Sequence, residues 1–212
     1  MNFRLQRRAG DDLPGGGAGY LTTTPATRLG LWVFMGVATV LFSLLTSAYL
    51  MRMGLADWRP LPNVPWQLWL STTMLVLGSV AFQGAVIAVR RGSKTGLRVG
   101  LTLAGLFAFA FLAVQLWAWQ QMSASHYLVA GNPANSFFYL ITGLHGLHVV
   151  GGLVAWSKTG VKVWRGATSA RVRLGVELCA TYWHFLLALW LALFGLLFFL
   201  TPDIVQIICN GF

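Results

Sequence analysis

Apolar residues along this chain fall into five long runs separated by short polar interruptions. Leu29 to Met51 is bounded by Arg28 and Arg52, and Trp66 to Val89 follows Pro65 and stops at Arg90-Arg91. Leu97 to Gln120, Phe137 to Trp156 and Leu174 to Leu200 complete the set, the last stopping before Pro202. Each run is close to the roughly 20 residues that a helix needs to cross a hydrocarbon core about 30 Å thick, at about 1.5 Å per residue. Lipid offers no water to an open strand's backbone, so the runs must be helices. The pattern predicts an all-α membrane protein, with a five-helix transmembrane bundle over 28–201 and a short external tail over 202–212. The segment 1–27 carries Arg4, Arg7, Arg8 and the stretch Leu13-Pro14-Gly15-Gly16-Gly17, and has no apolar core of its own. It is expected to be a disordered cytoplasmic extension rather than a cleaved signal peptide.

Charge turns this bundle from a pattern into an orientation. The 15 basic residues against 5 acidic ones would suggest a nucleic-acid partner in a soluble domain. Here they sit between the apolar runs, where a membrane protein meets the cytoplasm, and no nucleic acid is expected. Counted on alternate sides, 13 Lys and Arg fall in the N-terminal segment, around Arg90 to Arg98 and between Lys158 and Arg173, whereas only Arg52 and Arg59 lie on the other side. The bias places the N-terminus in the cytoplasm and the C-terminus in the periplasm. Trp58, Trp66, Trp69, Trp117, Trp119, Trp156 and Trp164 lie at or near the ends of spans, as an interfacial belt does. With 57% apolar and 9% charged residues, the chain has too little polar surface for a soluble body.

Polar groups are costly inside a bilayer, so those within the spans define where chemistry can sit. The fourth span holds Thr142-Gly143-Leu144-His145-Gly146-Leu147-His148, and the fifth holds Glu177 with Thr181-Tyr182-Trp183-His184-Phe185. His145 and His148, three apart, share a helix face, and so do Glu177 and His184, seven apart. From the helical rise, His148 lies about 17 Å in from Phe137 and His184 about 15 Å in from Leu174, both near the midplane. If the two spans pack together, these histidines can approach one another.

Two readings follow. A His-x-x-His pair can supply two metal ligands. Against that, no carboxylate or third ligand is nearby in sequence, while Gly143, Gly146, Gly151 and Gly152 favour close helix packing with histidines bonding across helices. Glu177, the acidic residue of the spans, is either ion-paired to Arg171 and Arg173 at headgroup level or a lone membrane carboxyl. Gln83 and Gln115 are mid-span amides of the kind that bond across helices. Cys179 falls in hydrocarbon and Cys209 at the far interface, so no disulfide between them is expected.

The two polar clusters resemble subunit III of the haem-copper respiratory oxidases. Thr142 to His148 followed by Val149-Val150-Gly151 is similar to a middle helix of that family, and Glu177 with Tyr182-Trp183-His184-Phe185 and Trp190-Leu191 to its last helix. Phe34, Leu41, Phe42 and Tyr49 of the first span, Gln83 with Arg90-Arg91-Gly92, and Gln115 extend the resemblance over most of Arg28 to Leu200. Five helices correspond to the shorter form of the family, which lacks a two-helix unit that a neighbouring subunit then supplies. Three positions at which the family tends to carry acids read Ala38, Ala118 and Leu187, which implies a divergent branch.

The resemblance implies a non-catalytic subunit of a proton-pumping terminal oxidase in the bacterial inner membrane. It would bind no haem or copper itself, those groups lying on partner subunits, and would hold structural phospholipids. It would pack chiefly on subunit I, with subunit II and a small subunit IV as further partners, and support proton uptake and oxygen access. His145, His148, Glu177, Tyr182, Trp183 and His184 would form the polar inner face, while Arg28, Arg90, Arg91, Lys158, Arg171 and Arg173 would meet lipid headgroups. Two alternatives remain from the sequence: a related accessory protein of nitric oxide reductase, and a small transporter.

Overall fold

The computed structural model describes residues 18–53, 66–124, 132–166 and 170–199. The side chains of residues 18–25, Arg171 and Phe199 lie outside the described set, as do Cys209 and the tail over 202–212. The described residues form five α-helices: α1 (Ala18–Met53), α2 (Gln67–Arg90), α3 (Lys94–Ala124), α4 (Pro133–Trp164) and α5 (Ala170–Phe199). All five are long and apolar enough to cross a membrane. The helices overrun the apolar runs at most ends, because the backbone stays hydrogen-bonded past the hydrocarbon; α4, for example, continues beyond Trp156 through Lys158 and Lys162.

Local chemistry sets the ends. Asn132 caps α4, its side-chain oxygen accepting from the backbone N–H of Ala134 at 3.2 Å, with Pro133 at the first helical position where its missing N–H costs nothing. At the other end of the bundle, Gly92 takes φ +73° and lets the N–H of Ser93 reach the carbonyl of Ala88 at 2.9 Å, folding α3 back on α2 within three residues, Arg91 to Ser93.

The α2–α3 pair is the most closely packed of the bundle, and Gly100 is why. A Cβ there would stand 2.9 Å from the backbone nitrogen of Ala85. α5 packs on α2 and α4 with Trp183 as a wedge. Its ring lies 4.9 Å from that of Phe82 on α2 and against Gly152 of α4, where an added Cβ would come within 3.1 Å of the indole. α1 rests more thinly on α4 and α5. Met35, Ala38, Phe42, Tyr49 and Met53 are buried, while Leu29, Trp32, Val33, Val37, Val40 and Leu44 are exposed. An apolar helix face without protein cover is covered by lipid or another chain in a membrane.

Gly100→Ala therefore forces two backbones apart, and the expected loss is about 1–3 kcal/mol. Gly151→Ala, where an added Cβ meets nothing within 4 Å, is expected to stay within about 0.5 kcal/mol of the parent. Thermal unfolding of the purified protein in detergent compares the two.

Candidate functional site

The polar residues of the spans do not converge on one point. They divide among three places, each set by which neighbour the helix face meets.

The first is an ionic cluster near one end of α5. Glu177 accepts from Arg90 of α2 at 3.2 Å and from Arg173, one turn earlier on α5, at 3.3 Å, and Arg28 of α1 lies 3.9 Å away. The carboxyl side chain is 21% exposed, and the arginines are more than half exposed. Of the two readings of Glu177 open from the sequence, the ion-paired one describes the structure. Arg90 and Arg28 come from other helices, so spacing within α5 did not reveal them. The three guanidinium groups outnumber the one carboxylate, and the cluster keeps a surplus of two positive charges. Arg91, at the C-terminal cap of α2, and Lys158 of α4 are exposed, and the side chain of Arg171 lies outside the described residues.

The second place is a groove of about 400 Å³ that runs from this cluster up the α2–α5 seam, lined by Arg28, Gln83, Arg90, Glu177, Thr181 and His184 among others. Glu177, Thr181 and His184 recur at helical spacing on α5, so one face carries all three into the groove. His184 is held from α2 on both ring nitrogens: Nδ1 is hydrogen-bonded to the Ser79 hydroxyl, and Nε2 lies 3.3 Å from Oε1 of Gln83. An amide oxygen only accepts, so Nε2 carries the proton and Nδ1 accepts from Ser79. The ring is locked in one tautomer yet remains exposed on this chain.

The third is a set of cross-helix bonds in the core. The hydroxyl of Tyr182 donates to the carbonyl of His148 at 3.0 Å, joining α5 to α4. Within α4 His148 donates from Nδ1 to the carbonyl of Leu144 at 2.8 Å, and across to α1 its ring packs between Phe34 and Phe42, at 5.9 and 5.4 Å. Indole N–H groups make three further ties: Trp119 to the Thr142 hydroxyl at 3.1 Å, Trp156 to the Leu101 carbonyl at 2.9 Å, and Trp190 to the Thr72 hydroxyl at 2.9 Å. His145 is wholly buried between Phe111 of α3 and Trp190 of α5. His148 and His184 thus do not approach one another: the first serves α1 and the second α2, on different sides of α5.

Cys179 is buried, with its sulfur 3.6 Å from the Thr159 hydroxyl. Among the described residues no group of three His, Cys, Asp or Glu side chains is arranged to hold a metal ion. Ala38 and Ala118, two of the three positions at which the resemblance implies acids, are both buried. A carboxylate introduced at either would have no exposure to water.

Such an architecture defines a class: a polytopic membrane protein whose membrane-embedded polar groups tie its helices together and open sideways into a charged groove. The model of the family described as cytochrome c oxidase subunit III matches residues 22–201, and the chain belongs to that family. Its relatives include the cytochrome c oxidase subunit 3 of Thermostichus vulcanus, 29% identical over 180 residues that cover 82% of this chain and 87% of that protein. The cytochrome bo(3) ubiquinol oxidase subunit 3 of Pseudomonas putida is 25% identical over 177 residues, 82% of this chain and 86% of that one. A probable cytochrome c oxidase subunit 3 of Mycobacterium tuberculosis is 30% identical over 129 residues, 61% of this chain and 64% of that protein. The chain is accordingly a subunit III of a haem-copper oxidase, a multi-pass protein of the bacterial inner (plasma) membrane that associates with other oxidase subunits. The comparisons do not favour the nitric oxide reductase or transporter alternatives.

Glu177→Gln leaves Arg28, Arg90 and Arg173 facing one another without a counter-charge. Its thermal destabilisation is expected to exceed that of Arg28→Gln, Arg90→Gln or Arg173→Gln, each of which removes one exposed pair worth about 1 kcal/mol or less. The four midpoints, measured side by side in detergent at low salt, give the ranking.

Proposed function

We propose that this chain is the supporting subunit of a proton-pumping terminal oxidase, packing on subunit I through the α2–α5 seam, with subunit II and a small subunit IV as further neighbours. In this reading the N-terminus is cytoplasmic and the C-terminus periplasmic, which puts the Glu177 cluster at the inner leaflet. Haems and copper reside on the partner subunits, and the chain itself supports proton uptake and oxygen access rather than the reduction of oxygen.

The single observation that carries the reading is His184 with Gln83, a pair of polar side chains near mid-span and exposed on this chain. A polar side chain at that depth is costly against lipid and belongs against protein or a water-filled cavity. A partner helix laid along the seam removes the cost. Phospholipid holding is supported by two adjoining features. The surplus positive charge of the Arg28, Arg90 and Arg173 cluster suits anionic headgroups, each basic residue near the surface contributing about 1 kcal/mol. Beside it, between α1, α4 and α5, lies a mostly apolar cleft of about 260 Å³ lined by Leu31, Phe34, Gly151 and Tyr182 among others, with the dimensions of an acyl-chain segment.

His184→Leu removes both polar ties to α2 and is expected to reduce the amount of this chain that co-purifies with subunit I while leaving the haem absorption of the remaining complex unchanged. Retention of full association together with an altered haem spectrum would contradict the assignment.

A further inference from the structure

Three buried side chains among the described residues leave every polar atom unpartnered, Trp183, His145 and Gln115, and the last two lie at one level. His145 on α4 is 0% exposed and Gln115 on α3 is 3% exposed. Neither ring nitrogen of His145 and neither amide atom of Gln115 meets a hydrogen-bond partner among the described residues. Their levels follow from the antiparallel register of α3 and α4. Phe111, one turn before Gln115, packs its ring 5.7 Å from that of His145. Trp119, one turn after Gln115, donates to Thr142, three residues before His145. Gln115 is therefore bracketed by two α3 residues that touch α4 at and immediately beside His145.

The surrounding polar groups are already engaged. The Thr142 hydroxyl accepts from Trp119 and donates to the carbonyl of Phe138 at 2.6 Å, and the indole of Trp190, whose ring lies 4.9 Å from that of His145, donates to Thr72. Helical carbonyls nearby have their own backbone donors. Complete burial keeps lipid and partner subunits from reaching His145, and an apolar guest satisfies none of the four atoms. Leaving buried polar groups unsatisfied costs about 1–3 kcal/mol each, which a fold seldom tolerates twice at one place.

We infer that the α3–α4–α5 junction binds at least one internal water between the Gln115 amide and a ring nitrogen of His145. The capacities match. A neutral imidazole offers one donor and one acceptor, an amide offers both, and a buried water makes about three hydrogen bonds. Such a water ties α3 to α4 in the stretch between Phe111 and Trp119 where no direct side-chain hydrogen bond joins them. It also gives His145 a role distinct from that of His148, three residues on.

The test uses the whole oxidase complex, imaged by electron microscopy at a resolution that shows ordered water. The inference expects density for a water within hydrogen-bond distance of both Gln115 and His145. A direct hydrogen bond between the two side chains, or a dry contact, would overturn it. A second arm measures the temperature at which this subunit leaves the complex for Gln115→Met, His145→Leu and the double variant. Each single change strands the other group and lowers that temperature, and the double variant loses less than the sum of the two. Strict additivity would overturn the shared site. If the variants do not assemble, the density of the unmodified complex still decides.

Discussion

Hydrocarbon contains no water, and from that one constraint most of this molecule follows. Every backbone amide must find its partner inside its own helix, which fixes the five spans. Every polar side chain that enters a span must find a partner on a neighbouring helix or pay for its burial. The chain meets the second demand with side chains that combine a large apolar body and one polar tip. Trp119, Trp156, Trp190 and Tyr182 each bury a ring at a helix interface and spend the tip on a hydroxyl or carbonyl across it. Bonds of this kind average only about 0.6 kcal/mol in membrane bundles, so packing supplies much of the adhesion and the bonds mainly fix which helix sits against which.

α5 is where these demands meet. It touches α1, α2 and α4, and successive residues serve different neighbours: Tyr182 reaches α4, Trp183 wedges between α2 and α4, and His184 bonds to α2. Below them Glu177 draws arginines from α1 and α2 to one carboxylate. Ionic, aromatic and hydrogen-bonded contacts thus hold one helix at two depths. α1 adds Arg28, the rings around His148 and the ring of Tyr49 against Phe137 to these contacts, and is left with an apolar outer face and two cavities beside it.

The spans were legible in the sequence because hydrophobic length is a local property, and so was the shared face of Glu177 and His184, which depends only on helical period. The partners were not. That Arg90 rather than a neighbour on α5 alone would pair with Glu177, or that Ser79 and Gln83 would flank His184, depends on the α2–α5 crossing, which Gly78, Gly152 and Trp183 set in three dimensions. His145 and His148 show the same limit from the other side. Three residues along a helix amount to a turn of about 300°, leaving the two side chains about 60° apart. That is enough for α3 and α5 to take one and α1 the other. The family motifs pointed to these residues without saying which neighbour each one faces.

The central claim is that this chain works as part of an oxidase and carries none of its redox centres. The most direct measurement isolates the tagged chain from its native membrane in mild detergent, identifies the proteins that accompany it and records the visible spectrum before and after they are separated. The account predicts a haem-bearing subunit I in the complex and no haem absorption on this chain once it is alone. A chain that emerges without any haem-bearing partner, or that keeps stoichiometric haem after separation, would contradict it.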